Sequence, residues 1–397
     1  DANGDGLVDI VRSHESYPSE KYVYLNNGDG TGWTQNSVTI PAYFLTSTGA
    51  DYGVSIADVD GDGYQDLVQS HAPSGNVKVF INNGTGLVWT HESSYAVPTY
   101  FISAVVDLGW RFIEANGDGL PDLARGYENI SSGTSVRKVY LNTGNGSGWT
   151  EDTNYASTSM VYFVENDLDV GARVADVNGD GLDDIVKSVQ GGTQAVYINK
   201  GDGTGWVQDD RYSVPEIFAS SGNETGARLD DYDGDGLVDI YRSDTSGPTT
   251  KVYHNKGDGT GWTAGSTVSI PEYFRTAAGS ATTTRLADAD GDGLMDVVRG
   301  DVTAAYKRVH TQKGEKGLLL TTITDSKGKT STVDYDASSE FVDGSGDLLN
   351  PRLPLVIDLV KAIGINDGFG TIATTSYTYG GGRYYYADEY NREFALF

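Results

Sequence analysis

The nine residues DVDGDGYQD, numbers 58–66, place carboxylates at positions 1, 3, 5 and 9 of a short turn with glycine at positions 4 and 6. The pattern occurs six times, and successive copies start 57, 56, 62, 55 and 57 residues apart. The six copies start at Asp1, Asp58, Glu114, Asp176, Asp231 and Asp288. A nearly constant period of this length indicates a repeat architecture, so the fold is predicted from this loop outward.

Two further signatures recur with the loop. Segments related to VYLNNGDGTGWT start at Val23, Val79, Val139, Val196 and Val252. Short segments such as IPAYF and VPEIF precede four of the five later loops. Alternating apolar and polar residues between frequent turn signals predict strands rather than helices. Each unit is therefore predicted to form four short strands: one before the acidic loop, one after it, the VYLN-type run, and one that starts at Gly-Trp.

A four-stranded unit of about 57 residues is typical of a propeller blade, and a solenoid is the alternative. We predict an all-β fold: a β-propeller of four-stranded blades over residues 1–312 with six loop-bearing blades, or seven blades in all. Residues 313–397 are predicted to form a further β-rich region, because the copy that starts at Arg308 is degenerate. The loop at residue 1 has no strand before it, so we expect that strand to come from residues outside this sequence or from elsewhere in the chain.

The loop does not fit an EF-hand, which requires a bidentate Glu at position 12 and a helix on each side. Position 12 carries no acid in any copy, and the residues after each loop alternate as strands do. Oxygens at positions 1, 3, 5 and 9, with a backbone carbonyl at position 7, instead predict a compact cage for a hard cation. Ca²⁺ is favoured over Mg²⁺, which demands stricter octahedral geometry. The alternative is an Asp/Gly-rich turn without metal, and six copies at one period favour the cation.

We predict up to six structural Ca²⁺ ions, one in each loop. Loop three is the weakest candidate, because Glu114 replaces Asp and Pro121 stands at position 8. The predicted ligands, in loop order, are Asp1, Asn3, Asp5, Leu7 and Asp9; Asp58, Asp60, Asp62, Tyr64 and Asp66; Glu114, Asn116, Asp118, Leu120 and Asp122; Asp176, Asn178, Asp180, Leu182 and Asp184; Asp231, Asp233, Asp235, Leu237 and Asp239; Asp288, Asp290, Asp292, Leu294 and Asp296.

Composition excludes several other classes of protein and site. The chain has no cysteine, so it has neither disulfides nor thiolate chemistry. A net charge of −28 disfavours nucleic acid and anionic membranes as partners. No apolar run is long enough for a membrane helix, so direct membrane insertion is not expected. The five histidines form no HExxH or other spaced metal-ligand pair, and no nucleophile or nucleotide-binding motif occurs, so we predict that the chain is not an enzyme.

One tryptophan recurs near the end of each of the first five repeats. These residues are Trp33, Trp89, Trp149, Trp206 and Trp262. A ring of aromatic side chains could stack on sugars, but one aromatic residue per repeat more often packs between neighbouring blades. We favour packing, and carbohydrate binding remains the alternative.

The six D-x-[DN]-x-D-G-x-x-D loops, each between two strands, resemble the FG-GAP/VCBS repeats of integrin-α-like propellers. That resemblance implies structural Ca²⁺ in the hairpin between the first two strands of each blade. It covers residues 1 to about 312.

The residues after the repeats resemble a more specific family. Segments that start at Gly317, Leu353 and Thr375, the last reading TSYTYGGGRYYYADEYNREF, are similar to the region after the propeller in SpvB/TcdB-type B components of Tc toxins. In that family the region leads into RHS/YD repeats, so we expect more chain after Phe397. The resemblance implies a secreted, non-enzymatic propeller that docks on a pore-forming toxin component and gates the exit from an RHS shell.

Two other functions stay open at this point. The first is an extracellular adhesin or lectin that binds glycans through loops on the blades. The second is an enzyme such as a propeller polysaccharide lyase, which would show a His/Tyr/Arg cluster in a central pocket.

Overall fold

The structure is a computed structural model of the 397-residue chain. It describes residues 1–38, 40–155, 160–245, 250–265, 270–276, 282–300, 307–314, 316–317, 319–369, 371–386 and 392–395, and it describes only the backbone at 383–386 and 392–395. Within these ranges the fold is all-β, as predicted, with one short 3-10 turn at Ser338–Glu340 and no α-helix. The described ranges contain no helix that is long and apolar enough to cross a membrane.

The first three repeats form three mainly antiparallel sheets, and those of repeats two and three each include one parallel strand pair. The strands of repeat one are β1 (Ile10–Arg12), β2 (Tyr22–Asn26) and β3 (Trp33–Ser37). Those of repeat two are β4 (Val54–Ala57), β5 (Asp66–His71), β6 (Asn76–Asn82), β7 (Trp89–Glu92), β8 (Ile102–Ser103) and β9 (Val106–Asp107). Those of repeat three are β10 (Trp110–Ile113), β11 (Asp122–Asn129), β12 (Thr134–Asn142), β13 (Trp149–Asp152), β14 (Val164–Glu165) and β15 (Leu168–Asp169).

The next three repeats follow the same plan. The strands of repeat four are β16 (Ala172–Ala175), β17 (Asp184–Ser188), β18 (Gln194–Asn199), β19 (Trp206–Asp209) and the separate hairpin β20 (Ala219–Ser220) and β21 (Asn223–Glu224). Those of repeat five are β22 (Ala227–Asp230), β23 (Asp239–Arg242), β24 (Lys251–Asn255) and β25 (Trp262–Ala264). Those of repeat six are β26 (Thr284–Ala287), β27 (Asp296–Arg299) and β28 (Arg308–His310).

The acidic loop joins two neighbouring antiparallel strands in repeats two to six, as the sequence predicts. In repeat two, for example, β4 and β5 pair from Val54↔Gln69 to Ala57↔Asp66, so the loop is the hairpin between them. Repeats two to five supply the four predicted strands. The sheets of repeats one and six have three strands each among the described residues. Repeat one lacks the strand before its loop, as expected from the sequence, and repeat six has no described strand after β28 in its sheet, where its copy of the VYLN-type segment is degenerate.

Apolar clusters fill the space between consecutive sheets. The cluster between sheets three and four contains Ile113 and Val139 from one repeat and Ile185 and Trp206 from the next, each at most 2% exposed. Phe163, from the segment that replaces IPAYF in this repeat, is fully buried in the same cluster. The recurring IPAYF-type segment therefore supplies packing between sheets.

One side-chain hydrogen bond also links each sheet to the loop of the preceding repeat. The donors are the side-chain amides at the end of the third strand, and the acceptors are the carbonyl oxygens at loop position 2. The five pairs in chain order are Asn82–Ala2, Asn142–Val59, Asn199–Ala115, Asn255–Val177 and Gln312–Tyr232, at 2.7–2.9 Å. A sixth bond runs from Asn26 in repeat one to the Ala289 carbonyl in repeat six, at 2.8 Å. These six bonds, which we term the amide relay, link consecutive repeats and also link repeat one to repeat six.

The C-terminal residues form a separate four-stranded sheet and a hairpin. The sheet has the order β29 (Thr322–Thr324), β30 (Thr330–Ala337), β31 (Asp358–Asn366) and β32 (Ile372–Ser376), and the hairpin is β33 (Arg383–Tyr386) with β34 (Arg392–Ala395). The connection between β30 and β31 reaches back to the loops. Ser339 Oγ donates to the Gly291 carbonyl in loop six, and the Leu353 carbonyl lies against Gly6 in loop one.

Candidate functional site: six acidic loops

The position-1 carboxylate organises each loop by accepting backbone N–H groups. Asp58 Oδ1 accepts from Gly61 N at 2.7 Å, and its Oδ2 accepts from Gly63 N at 2.8 Å. The same pair of bonds occurs in loops one, four, five and six. Gly63 has a φ of 91°, a conformation that other residues rarely adopt, so glycine at position 6 is what lets the chain wrap around this carboxylate.

Loop three keeps this arrangement despite its substitutions. Glu114 Oε1 accepts from Gly117 N at 2.7 Å, so the longer side chain reaches the first of the two donors. Pro121 at position 8 leaves its carbonyl free to accept from the Trp149 indole at 2.8 Å. The weaker sequence match therefore leaves the loop conformation intact.

The position-9 carboxylate connects the loop to the third strand. In Asp184, Oδ2 accepts from Val177 N at 3.2 Å and Oδ1 accepts from Asn199 N at 2.7 Å. The equivalent residues make the same two bonds, and they are Asp9, Asp66, Asp122, Asp239 and Asp296. Asp184 is fully buried. This residue is therefore part of the hydrogen-bonded framework as well as a predicted ligand.

Positions 5 and 7 also form a repeated contact. The backbone N–H at position 7 donates to the position-5 carboxylate in all six loops, at 2.8–3.0 Å. The position-5 acceptors are Asp5, Asp62, Asp118, Asp180, Asp235 and Asp292, and the donors are Leu7, Tyr64, Leu120, Leu182, Leu237 and Leu294. The position-5 side chain is thereby held over the turn.

Position 3 has no such uniform partner. Asn3 Oδ1, Asp233 Oδ1 and Asp290 Oδ1 are buried and have no hydrogen-bond partner. Buried polar atoms are rarely left unpaired in folded proteins. All three stand at the same loop position, among oxygen atoms of the kind that Ca²⁺ prefers, so the residues present fit a cation inside the turn.

Several carboxylates also lie close enough together to share one ion. Groups of three with oxygens within 4.8 Å of one another occur in loop two (Asp58, Asp60, Asp62), loop five (Asp231, Asp233, Asp235) and loop six (Asp288, Asp290, Asp296). The remaining position-1 and position-3 residues, Asp1, Asp176, Asn116 and Asn178, occupy the matching places in their own turns.

Burial raises the pKa of several buried carboxyl groups in these turns. The pKa of Asp66, Asp122 and Asp239 is raised to about 8, and that of Asp184 to about 7. Loss of hydration is the largest cause, backbone N–H donors oppose it, and nearby carboxylates add to it. Charged carboxylates are therefore unfavourable here without a compensating positive charge.

The recurring tryptophans hold the loops from the fourth strand. Trp206 Nε1 donates to the Asp183 carbonyl at 2.9 Å, and the other four indoles donate to the same loop position, at residues 8, 65, 121 and 238. Trp89, Trp149, Trp206 and Trp262 are at most 6% exposed. The prediction that these residues pack between sheets is confirmed for those four, and Trp33 is half-buried.

A second charged feature lies on the first strands of repeats three to five. Arg111, Arg173 and Arg228 each pair with a carboxylate four residues earlier, at 2.7–2.9 Å. The same guanidinium groups lie over the rings of Phe163, Phe218 and Phe274 of the following segments. Because each arginine is neutralised by its own carboxylate, this row of charges serves the contact between sheets and is not a site for an anion.

Two sets of residues were not identified as functional from the sequence. The amide relay was visible as the invariant Asn of VYLN, VFIN and VYHN, but its acceptors lie in another repeat. His254, in contrast to the expectation that no histidine forms a ligand pair, has Nδ1 3.2 Å from Asp233 Oδ2 and 3.4 Å from Asp239 Oδ2. The signal available was its place in VYHN, where repeats one to four have Leu or Ile.

Two known protein families match different parts of the chain. FG-GAP-like repeats match residues 1–69, 114–187 and 176–242. The family described as the insecticide toxin TcdB middle/N-terminal region matches residues 259–397. The chain therefore carries FG-GAP-like repeats and a region of the TcdB type. Among curated proteins, none matches the sequence significantly.

Solved structures show the same fold at low sequence identity. A chain of the Photorhabdus luminescens Tc holotoxin pore matches with a TM-score of 0.65 and 19% identity, over 97% of this chain and 17% of that chain. A TcdB2-TccC3 chain without its hypervariable C-terminal region matches with a TM-score of 0.54 and 17% identity, over 99% of this chain and 18% of that chain. This chain thus spans under a fifth of the length of these toxin chains.

A lectin is also similar in fold. An Agrocybe aegerita lectin, described by its recognition of non-reducing terminal N-acetylglucosamine, matches with a TM-score of 0.51 and 19% identity. The match covers 75% of this chain and 72% of the lectin.

Proposed function

We propose that this chain is a non-enzymatic docking and gating scaffold of a secreted, Tc-type toxin complex, in which residues 313–397 begin an RHS-like β region. The observation that carries the proposal is the order of its parts. FG-GAP-like repeats lead directly into a region of the TcdB middle/N-terminal type, and the likeness to a Tc holotoxin chain extends over 97% of this chain. The partner is then the pore-forming component of the complex.

The repeats are proposed to form a six-bladed propeller. The amide relay supports this arrangement, because its sixth bond joins Asn26 of repeat one to Ala289 of repeat six. A second contact supports the same closure: a Cβ at Gly291 in loop six would lie 2.5 Å from Leu7 Cδ2. In an open row of repeats, the first and sixth would not be neighbours.

The loops are proposed to hold up to six structural Ca²⁺ ions, at most one in each loop. Support comes from the oxygen donors at positions 1, 3, 5 and 9 and from the unpaired buried oxygens at position 3. A bound cation would neutralise carboxylates that otherwise repel one another within one turn. Hydrogen bonds from backbone N–H groups also hold these carboxylates within the turn, so the predicted ligands lie close together.

Removal of Ca²⁺ tests the metal part of the proposal. We expect chelation to lower the melting temperature by about 5–10 °C or more, since a ligand at a hundred times its Kd adds about 2.7 kcal/mol per site. Added Ca²⁺ should restore the melting temperature, and Mg²⁺ should do so less well. An unchanged melting temperature in chelator would reject structural calcium.

Association with a pore-forming component tests the docking part. The purified chain in Ca²⁺ is mixed with the purified pore-forming component of a Tc toxin and separated by size-exclusion chromatography with light scattering. We expect one complex with the summed mass of the two components, and we expect chelator to dissociate it. If the two proteins elute separately in Ca²⁺, the docking role is wrong, whatever the melting experiment shows.

Glycan binding is the second candidate function, and the likeness in fold to the Agrocybe aegerita lectin favours it. The recurring tryptophans do not supply stacking platforms, since four of them are buried and all five donate to loop carbonyls. Sugar contacts would have to come from exposed loop residues. Binding on a glycan array in Ca²⁺, without association with the pore-forming component, would favour this candidate.

A further inference from the structure

Loop five differs from the other loops by one side chain that reaches it from the neighbouring strand. His254 lies on β24, one register step beyond the Ile240↔Tyr253 pair that joins β23 to β24. The register therefore places its imidazole beside the position-9 carboxylate, Asp239. The equivalent residues of repeats one to four are Leu25, Ile81, Leu141 and Ile198, which pack as partly buried apolar side chains.

Loop five and β24 thus bring three potential ligand atoms close together. His254 Nδ1 lies 3.2 Å from Asp233 Oδ2 and 3.4 Å from Asp239 Oδ2, and the three groups offer atoms within 4.8 Å of one another. Neighbouring ligand atoms of a tetrahedral zinc ion with bonds of about 2.0–2.1 Å lie about 3.3–3.4 Å apart. The two separations across His254 therefore match the edges of such a site.

Two buried polar atoms of this cluster make no hydrogen bond, although His254 Nδ1 lies at ion-pair distance from two carboxylates. His254 Nδ1 and Asp233 Oδ1 are both buried and make no hydrogen bond. Asp239 is 1% exposed, and its other contacts are two backbone N–H groups, from Asn255 and Tyr232. The Tyr232 ring meets the imidazole edge-on at 5.4 Å and shields it on one side.

We propose that loop five is a mixed nitrogen and oxygen site that binds a borderline first-row divalent ion, Zn²⁺ in the test below, with His254, Asp233 and Asp239 as ligands. An imidazole nitrogen is a poor ligand for Ca²⁺, which takes oxygen, and a good one for Zn²⁺. The inference rests on the proposal that the loops are cation sites, and it assigns this loop a different metal from the other five.

The test is a Zn²⁺ titration by calorimetry in saturating Ca²⁺, on the full chain and on His254→Leu. Leucine is the residue that repeats one and three have at this position, so the variant restores the pattern of the repeat and should fold. We expect the native chain to bind one Zn²⁺ and the variant to bind it roughly tenfold more weakly or not at all. Zn²⁺ held by the other histidines would persist in the variant and would count against the proposal.

Histidine ¹⁵N spectra of the native chain provide a second readout. Zn²⁺ should shift the Nδ1 resonance of one imidazole. The spectrum of His254→Leu should lack this resonance, which assigns it to His254. If the His254 imidazole is doubly protonated and its resonances do not change when Zn²⁺ is added, His254 is a cationic partner of Asp233. That result would overturn the metal assignment.

A parallel Ca²⁺ titration separates this inference from the proposed function. If His254→Leu loses Zn²⁺ but keeps the Ca²⁺ capacity of the other loops, both proposals are supported. If neither chain binds Ca²⁺ while the native chain alone binds Zn²⁺, structural calcium fails and the loop-five assignment stands. Equal Zn²⁺ binding by the two chains would reject the assignment whatever the Ca²⁺ result.

Discussion

Single side chains in these loops have two functions, because the proposed ligands are also hydrogen-bond acceptors. Asp184 shows this most clearly, since both of its oxygens accept a backbone N–H and the side chain is fully buried. The same side chain therefore serves both the hydrogen-bonded framework of the turn and the proposed cation site.

Asp184→Ala tests the framework role. The variant leaves the N–H groups of Val177 and Asn199 buried without an acceptor, so we expect a loss of about 2–4 kcal/mol in the free energy of unfolding. The loss should appear with Ca²⁺ and with chelator, because the hydrogen bonds do not need the ion. Denaturant unfolding measures it.

Asp210→Ala is the control, because this aspartate lies in the same repeat, directly after the fourth strand β19, and is exposed. It should change the free energy of unfolding by no more than about 0.5 kcal/mol. A loss below 1 kcal/mol for Asp184→Ala would indicate that position 9 serves only the cation.

The repeated indole bond predicts a graded effect of Trp→Phe. Trp149→Phe keeps an aromatic ring in the core but removes the donor to the Pro121 carbonyl, so we expect a loss of about 1–2 kcal/mol by denaturant unfolding. Trp33 makes the same bond to Val8 at 2.8 Å but is half-buried, so Trp33→Phe should cost less. Equal losses would mean that burial does not set the strength of this bond.

At the scale of strands and loops, the features that could be predicted from the sequence are those that recur with a clear period. The strands on both sides of the loop alternate between the two faces, and the glycines mark the turn. The hairpins β8–β9, β14–β15 and β20–β21 were missed, because strands of two residues are too short for alternation to be recognised. His254 was missed because its proximity to Asp233 depends on the register of two strands, which spacing in the sequence does not reveal.

A glycine directly before the first strand of a repeat lies close against the backbone of the second strand. Gly171 has a φ of 68°, and a Cβ there would lie 2.2 Å from the Ser188 carbonyl oxygen. Gly53, Gly109 and Gly226 stand in the same place in their repeats, with Cβ positions 2.4–2.7 Å from a carbonyl oxygen. Since the crowding atom is backbone, a side chain cannot be accommodated by a change of rotamer.

Gly171→Ala is therefore expected to lower the free energy of unfolding by about 3 kcal/mol or more, from the left-handed backbone and the clash together. Gly191→Ala is a matched control, because its φ is 73° and a Cβ there meets no atom within 4 Å. The control should lose only about 1–2 kcal/mol. Similar losses for the two variants would show that the close approach to Ser188 is relaxed in solution.

For the whole molecule, the proposed ring depends on contacts between residues far apart in sequence. The repeat period predicted a row of similar units, but period alone cannot say whether the last unit meets the first. The structure supplies the contacts that bear on this point, Asn26 to Ala289 and Leu7 to Gly291. The connection between β30 and β31 adds Ser339 and Leu353 to the same junction.

Asn26→Ala tests closure by hydrogen exchange. The variant removes the bond that joins the first sheet to loop six, so we expect amide exchange to accelerate in β1–β3 and in β26–β28 together, and less elsewhere. Asn142→Ala removes the equivalent bond to Val59, between repeats three and two, and should accelerate exchange in those sheets instead. Both variants should lose about 1–3 kcal/mol, because each leaves a buried carbonyl without its donor. If Asn26→Ala affected only the first sheet, repeats one and six would not be neighbours in solution, and the proposed six-bladed ring would be wrong.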